Sequence, residues 1–213
     1  AKGYMARGGQ MVDATIVPVP KQRNSRDENE AVKAGQTPAE WEKKPAKLRQ
    51  KDRDARWTKK HGKSFYGYKN HIGVDKSHKL IRKWAATDAS PHDSQKLDDI
   101  LDASNTGKQV WADSAYRSAE IETKLAAKGL KSRIHRRAAR SRQLSQTQEA
   151  ANTMRSKVRA RVEHVFGHQE NSMGRKIVRT IGMARARFKI GMMNLGYNMR
   201  RLVQLERVAA APA

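Results

Sequence analysis

The sequence predicts an α/β fold, a mixed five-stranded sheet flanked by helices and followed by a basic helical C-terminal region. Three observations carry that prediction. Strand-length apolar runs alternate with amphipathic helical stretches between residues 10 and 135, and two long helical periodicities follow with no strand between them. Apolar residues make up 37% of the 213 and are grouped in blocks, enough for one core with long basic excursions rather than wholesale disorder.

Taken in order, residues 11–20 form a Val- and Ile-rich run ended by Pro18 and Pro20, which reads as a central strand because both alternating faces are apolar. Asp13 interrupts it. An unpaired carboxylate in an apolar strand is costly, so Asp13 must reach a cation or a cleft. Residues 21–63, with 14 basic and 7 acidic side chains, read as an insertion after that strand, much of it ordered only on nucleic acid. Within it Thr37, Pro38 and Glu40 give an N-cap signature and predict a short helix near 38–50. Residues 65–74 and 80–87 predict an antiparallel hairpin, the first strand half-buried, with the DKSHK segment as its turn. Ser90–Pro91 then opens a helix of about three turns carrying Leu97, Ile100 and Leu101. Val110 and Trp111 lead to Asp113 at the end of a further strand, Ser118–Lys128 suits a helix stopped by Gly129, and 130–135 suits a last strand.

Beyond this point the pattern is purely helical. In 148–166, Met154, Val158, Val162 and Val165 share one helical sector and Glu163 lies opposite. Phe188, Met192, Leu195, Met199 and Leu202 recur at alternating spacings of four and three, an a/d-like stripe suited to core or to a dimer contact.

Charge narrows the function. Lys and Arg number 45 against 21 Asp and Glu, a net charge of +24, and 131–207 alone carries +15. Self-repulsion on this scale calls for a polyanionic partner, nucleic acid first. The absence of Cys excludes disulfide and thiolate chemistry. No apolar run approaches the roughly 18 residues of a spanning helix and no signal-peptide core opens the chain, so no membrane association and a soluble, intracellular protein are expected. The start at Ala1 points to a fragment or a processed chain.

Three carboxylates stand apart from the solvated ones: Asp13 in a buried strand, Asp113 at a strand end, Glu163 on a late helix. In a mixed sheet the first strand can lie beside the one that ends at Asp113, with Glu163 docking from above. Such oxygen ligands suit Mg²⁺ or Mn²⁺, and two ions about 3.5 to 4 Å apart would support an in-line phosphoryl displacement. Singly, an Asp in a turn or a Glu on a basic helix is more often a cap or a salt-bridge partner. Asp13 is the least easily explained that way, and the Arg159–Glu163 pair, at about 0.2 to 0.5 kcal/mol, does not account for Glu163. Rival groupings are weaker. His164 and His168 form half a zinc site without a third ligand, Asp75 sits in a hairpin turn, His71 is structural, and Trp41, Trp57 and Trp84 divide between core and base stacking.

The segments MVDATIV, YGYKNHIGVD, ATDASPHDS, VWADSAYRS and VRARVEHVFG occur in the order found in the DDE transposases of bacterial insertion sequences, and the chain from about residue 10 to 205 resembles the insertion-sequence-five family. The resemblance implies a ribonuclease-H-like fold and a catalytic and metal-binding triad of Asp13, Asp113 and Glu163, with Arg159 the Arg four residues before the Glu. It implies cutting and joining of double-stranded DNA at transposon ends with Mg²⁺ or Mn²⁺, two ions. Water attacks first, and the freed 3′-hydroxyl then attacks target DNA. A homo-oligomer in the bacterial cytoplasm, at the nucleoid, is expected. DNA phosphate falls to the basic residues of 131–207, with Arg136, Arg137, Arg140, Arg155, Lys157, Arg159, Arg175 and Lys176 as candidates. One catalytic domain over 1–213 is expected, with 21–63 as its insertion and 145–207 as the helical part carrying the third acid. Two departures stand out. Ser156 and Glu170 occupy positions where the wider signature has Tyr and Lys, and only twelve residues precede Asp13, so an N-terminal DNA-binding segment is expected to be missing. The alternatives are a metal-dependent nuclease on the same fold, or an inactive DNA-binding remnant.

Overall fold

The strand bearing Asp13 is the middle of the sheet. A computed structural model describes residues 3–60, 62–138, 143–173 and 176–210. Its strands are β1 (Gln10–Pro18), β2 (Arg56–Lys60), β3 (Lys63–Asp75), β4 (Ile81–Asp88), β5 (Gln109–Trp111) and β6 (Lys131–Ser132). They are ordered β2-β3-β1-β5-β6, with β4 also paired to β3. The pairs β1/β3, β2/β3 and β3/β4 are antiparallel; β1/β5 and β5/β6 are parallel. The helices are α1 (Arg26–Lys33), α2 (Ala39–Glu42), α3 (Pro45–Arg49), α4 (Leu97–Ile100), α5 (Ala119–Ala127), α6 (Gln146–Ser172) and α7 (Met183–Ala210).

The expected mixed sheet flanked by helices is present, with six strands rather than five. The added strand, β2, comes from the insertion. Its Lys-rich sequence masks it, yet exposed edge strands commonly carry lysine, and Trp57 pairs with Tyr66 across β2/β3 with rings 5.1 Å apart. The insertion is ordered by its own contacts rather than awaiting nucleic acid. Ser25 and Glu28 form a capping box at the start of α1, and the buried Trp41 ring donates to the Glu28 carboxylate, which also pairs with Lys47 at 2.9 Å. The helix expected near 38–50 is two short ones, α2 and α3. Pro45 begins the second, and Pro38 rather than Thr37 is the N-cap of the first, with no side-chain capping bond. The helix expected after Pro91 is shorter as well, a 3₁₀ turn at Asp93–Lys96 running into α4.

Two layers flank the sheet. Val12 and Val110 face Leu97, Ile100, Ile121 and Leu125 of α4 and α5, whereas Met11, Ile72, Val74 and Trp111 face Val162, Val165 and Phe166 of α6 and Tyr197 of α7. β3 is therefore buried on both sides from Tyr66 to Asp75 and not half-buried. Gly67 (φ +153°) pairs with both Pro18 and Arg56, and a Cβ there would lie 2.3 Å from the Val17 carbonyl oxygen.

α7 docks through a face other than the one its apolar stripe suggests. Ala186, Ile190, Asn194 and Tyr197 are buried, whereas Phe188 is 68% and Leu195 51% exposed. The reason is polar. Asn194 exchanges hydrogen bonds with Asn70 (2.8 and 3.1 Å), and Asn198 does so with the Ile81 backbone (2.8 and 2.8 Å) at the irregular end of β4. Gly191 lets the Trp84 ring approach to where a Cβ would be 2.9 Å away.

Candidate active site

Parallel pairing brings the two aspartates together. Gln10 pairs with Val110 and Met11 with Trp111, so Asp13 and Asp113, each two residues further on, stand at one level of the sheet. Side chains alternate along a strand, so Asp13 shares the face of Met11 and Asp113 that of Trp111, the face covered by α6. From that helix come Arg159 and Glu163, one turn apart.

One guanidinium touches all three acids. Arg159 Nη1 lies 3.7 Å from Asp13 Oδ2 and 3.8 Å from Asp113 Oδ2, and Nη2 is 2.8 Å from Glu163 Oε1. Local backbone orients both aspartates. The Ala14 N–H donates to Asp13 Oδ1 at 2.8 Å, and the Ala115 N–H donates to Asp113 Oδ1 at 2.6 Å as the cap of the 3₁₀ turn Ser114–Tyr116. The second oxygen of each is thus left for a cation. Exposure rises from 15% for the Asp13 side chain through 39% for Asp113 to 59% for Glu163. Burial pushes Asp13 up to about 6; the Ala14 N–H and Arg159 pull it back, the neighbouring Asp113 charge raises it further and Lys60 lowers it.

Beside the aspartates opens a cleft of about 280 Å³ lined by Thr15, Thr58, Lys59, Lys60 and His92 among others. Lys59 and Lys60 reach the cleft from the end of β2, at the β2–β3 hairpin. Sequence reasoning missed them, because a Lys pair in a charge-rich insertion looks like a solvated face. The available signal was Trp57–Thr58 just before them and Gly62 after, a strand followed by a turn. Lys69 also lines the cleft, but its ammonium is taken up by the Pro91 carbonyl (2.6 Å) and Asp93 (2.9 Å).

Lys176 reaches Thr15 Oγ1 at 3.2 Å and lies 3.6 Å from Glu170 and 5.4 Å from the Phe166 ring centre. Glu170, at the position where the wider signature has Lys, is thus the partner of a Lys that stands beside β1. Among the other phosphate candidates, Arg136, Arg137 and Lys157 are exposed but do not line the cleft. Arg155 is half-buried and donates to the Ile134 carbonyl (3.1 Å), fastening the segment after β6 to α6. Arg140 and Arg175 lie outside the described residues.

The other groupings stay apart from the cleft. Asp75 is buried in the β3–β4 turn, paired with Arg82 at 2.9 Å. His71 is buried against Thr87 Oγ1 at 2.9 Å, and His168 packs edge-on to Tyr197 with ring centres 5.8 Å apart. Among the described residues no three His, Asp or Glu side chains converge on a metal-sized point; Arg159 stands between the three acids. Their donor chemistry nevertheless suits a hard divalent cation, since all are carboxylates and the second oxygens of Asp13 and Asp113 face one nitrogen of Arg159. No described helix is long and apolar enough to cross a membrane.

A family model described as "Transposase DDE domain" matches residues 5–199. A relative named "Transposase for insertion sequence element IS1106", from Neisseria meningitidis serogroup B, is 36% identical over 161 residues, 74% of this chain and 52% of the relative. The chain thus spans about half the length of that curated relative. No solved structure matches.

Proposed function

The chain belongs to the Transposase DDE domain family, and from that premise we propose that it cuts DNA at the ends of an insertion sequence and joins those ends to target DNA. The family implies the ribonuclease-H-like fold, a DNA partner and dependence on a divalent metal. The observation that supports the reading is the meeting of Asp13, Asp113 and Glu163, from three elements far apart in sequence, on one guanidinium beside a cleft carrying Lys59 and Lys60.

In this reading Asp13, Asp113 and Glu163 would hold two Mg²⁺ or Mn²⁺ ions. Bound there, such ions supply Lewis-acid stabilisation of the charge that builds on the attacking and leaving oxygens of an in-line displacement. The protein's own residues do the rest. The Ala14 and Ala115 N–H groups keep the aspartate oxygens aimed. Lys59 and Lys60 hold phosphate in the cleft, and Lys176 steadies β1 beside it through Thr15. Arg159 balances the acids and turns to phosphate when they are otherwise neutralised. Hydrolysis of one phosphodiester leaves a 3′-hydroxyl and a 5′-phosphate; the hydroxyl oxygen then bonds to a target phosphorus, and a target 3′-oxygen leaves with the proton. We place this chemistry at the nucleoid in the bacterial cytoplasm, in a complex of more than one copy whose contact is the apolar stripe of α7.

The test is Asp113→Asn, which keeps shape and removes a charge. Mg²⁺-dependent cleavage should fall by about a hundredfold or more, while duplex binding holds or tightens because one negative charge near phosphate is gone. Unchanged cleavage would overturn the site.

A further inference from the structure

We propose that the groove between the β3–β4 turn and the helices α6 and α7, which Glu163 lines and which shares no residue with the Asp13–Asp113 cleft, is a phosphate-binding site for the backbone of duplex DNA. The proposal rests on the reading of the chain as an enzyme that joins DNA, a reaction that must hold two backbones against one set of acids.

The groove, of about 800 Å³, is lined by Lys79 from the turn, Glu163, His164 and His168 from α6, and Arg201 and Gln204 from α7. Among the described residues Lys79 has no carboxylate partner, and Arg201 donates only to neutral acceptors, the His78 carbonyl at 2.8 Å and Gln204 Oε1 at 3.3 Å. Burial, together with the charges of Arg201 and Arg161, holds the Lys79 ammonium below its ordinary range. The one acid on the walls, Glu163, is committed to Arg159 at 2.8 Å. A partly desolvated group of like charges is costly until an anion joins it.

Two imidazoles and an amide line the groove as well. His168 Nε2 is buried with no hydrogen-bond partner, His164 is exposed, and the Asn171 side chain lines the same wall. Lys79 is held rather than loose. It is the one non-glycine described with positive φ (+59°), its carbonyl accepts from the Tyr197 hydroxyl at 2.9 Å, and its N–H donates to the Asp75 carbonyl at 3.0 Å. Backbone held in that region by surrounding structure is a recurring feature of functional sites. A groove lined from residue 160 to 172 of α6 and from 197 to 204 of α7, with a candidate catalytic acid on its wall, suits an extended polyanion better than a small molecule.

The test is duplex binding by fluorescence anisotropy between about 50 and 200 mM salt, with circular dichroism to verify folding. Lys79→Gln should lower the slope of log affinity against log salt by about 0.9, one phosphate contact. Gln204→Glu, an exposed change that leaves the docking bonds intact, should weaken binding at least about threefold by placing a carboxylate beside phosphate. Arg187→Gln, an equal loss of charge on α7 outside the groove, is the control and should move the slope by less than half as much. Groove variants that match wild type, or a control with the same effect, overturn the proposal and leave the proposed function standing; failure of the wild-type chain to bind duplex at all removes the proposed function. To separate sources of phosphate, the His164 and His168 imidazole nitrogen resonances should shift with duplex and not with equimolar inorganic phosphate. Saturation by inorganic phosphate alone would mean a small-anion site and overturn the DNA assignment.

Discussion

Arg159 is the cation that allows three carboxylates to share one corner of the protein. Replacing it with Gln leaves Asp13 and Asp113 facing each other uncompensated, so Arg159→Gln should destabilise the metal-free protein by on the order of 1 to 3 kcal/mol. Mg²⁺ should then raise the melting temperature of the variant more than that of wild type, because the ion replaces the lost charge; an equal rise in both would mean that Arg159 and the ion do not compete for the same acids. His71 sets a different pH dependence. Fully buried, it is pushed down to about 4, so the fold holds it neutral while the unfolded chain protonates it near 6.5. Its stability contribution is complete above pH 6.5 and is lost as pH falls from 6.5 toward 4, on the order of 3 kcal/mol in full. Urea midpoints at pH 7 and pH 4.5 should diverge in wild type and much less in His71→Gln; the same divergence in both would assign the acid sensitivity elsewhere.

At the scale of elements, the insertion has a small core of its own around Trp41, with Lys47 and Lys51 over its ring at 5.9 and 5.0 Å. Trp41→Ala should cost about 3 to 5 kcal/mol, the range for truncating a buried aromatic, and limited proteolysis should find new cuts between residues 21 and 55. Cleavage patterns identical to wild type would mean that α1 to α3 are held by something else. On α7 the stripe of Phe188, Met192, Leu195 and Met199 is left exposed by the polar docking of Asn194 and Asn198. Its alternating four-three spacing is that of a helix-on-helix seam, so in the proposed complex of more than one copy Leu195→Asp should abolish self-association measured by sedimentation without lowering the melting temperature. A large loss of stability would show that the stripe belongs to the fold. Periodicity identified α7, but neither its full length nor which face it buries, because the choice of face turned on backbone groups of β4 and on Gly191 beside Trp84, which no helical pattern encodes.

Across the whole molecule, a net charge of +24 would, in the proposed function, set DNA affinity chiefly through counterion release. Neutralising Lys59 and Lys60 together should flatten the salt dependence by about 1.8, similarly on related and unrelated duplexes, because phosphate contacts carry no sequence information. A strong preference for one duplex, retained at high salt, would instead require base contacts. Much of the fold was legible in the residues alone. The proline-ended run at β1, the hairpin of β3 and β4, the Ser118 and Gly129 ends of α5 and the two long helices follow from local rules of alternation, capping and periodicity, each read within a few residues. Asp13 also declared itself, since a carboxylate in an apolar strand is costly without a partner. What only the tertiary structure decided are relations between distant segments: the parallel register that levels Asp13 with Asp113, the Arg159 guanidinium that gathers both with Glu163, the hairpin that brings Lys59 and Lys60 to the cleft, and the burial of Arg155 that turns an expected phosphate contact into a structural tie. The physical reason is that local propensities act over a few residues, whereas register, burial and electrostatic pairing depend on which surfaces meet after the chain has closed on itself.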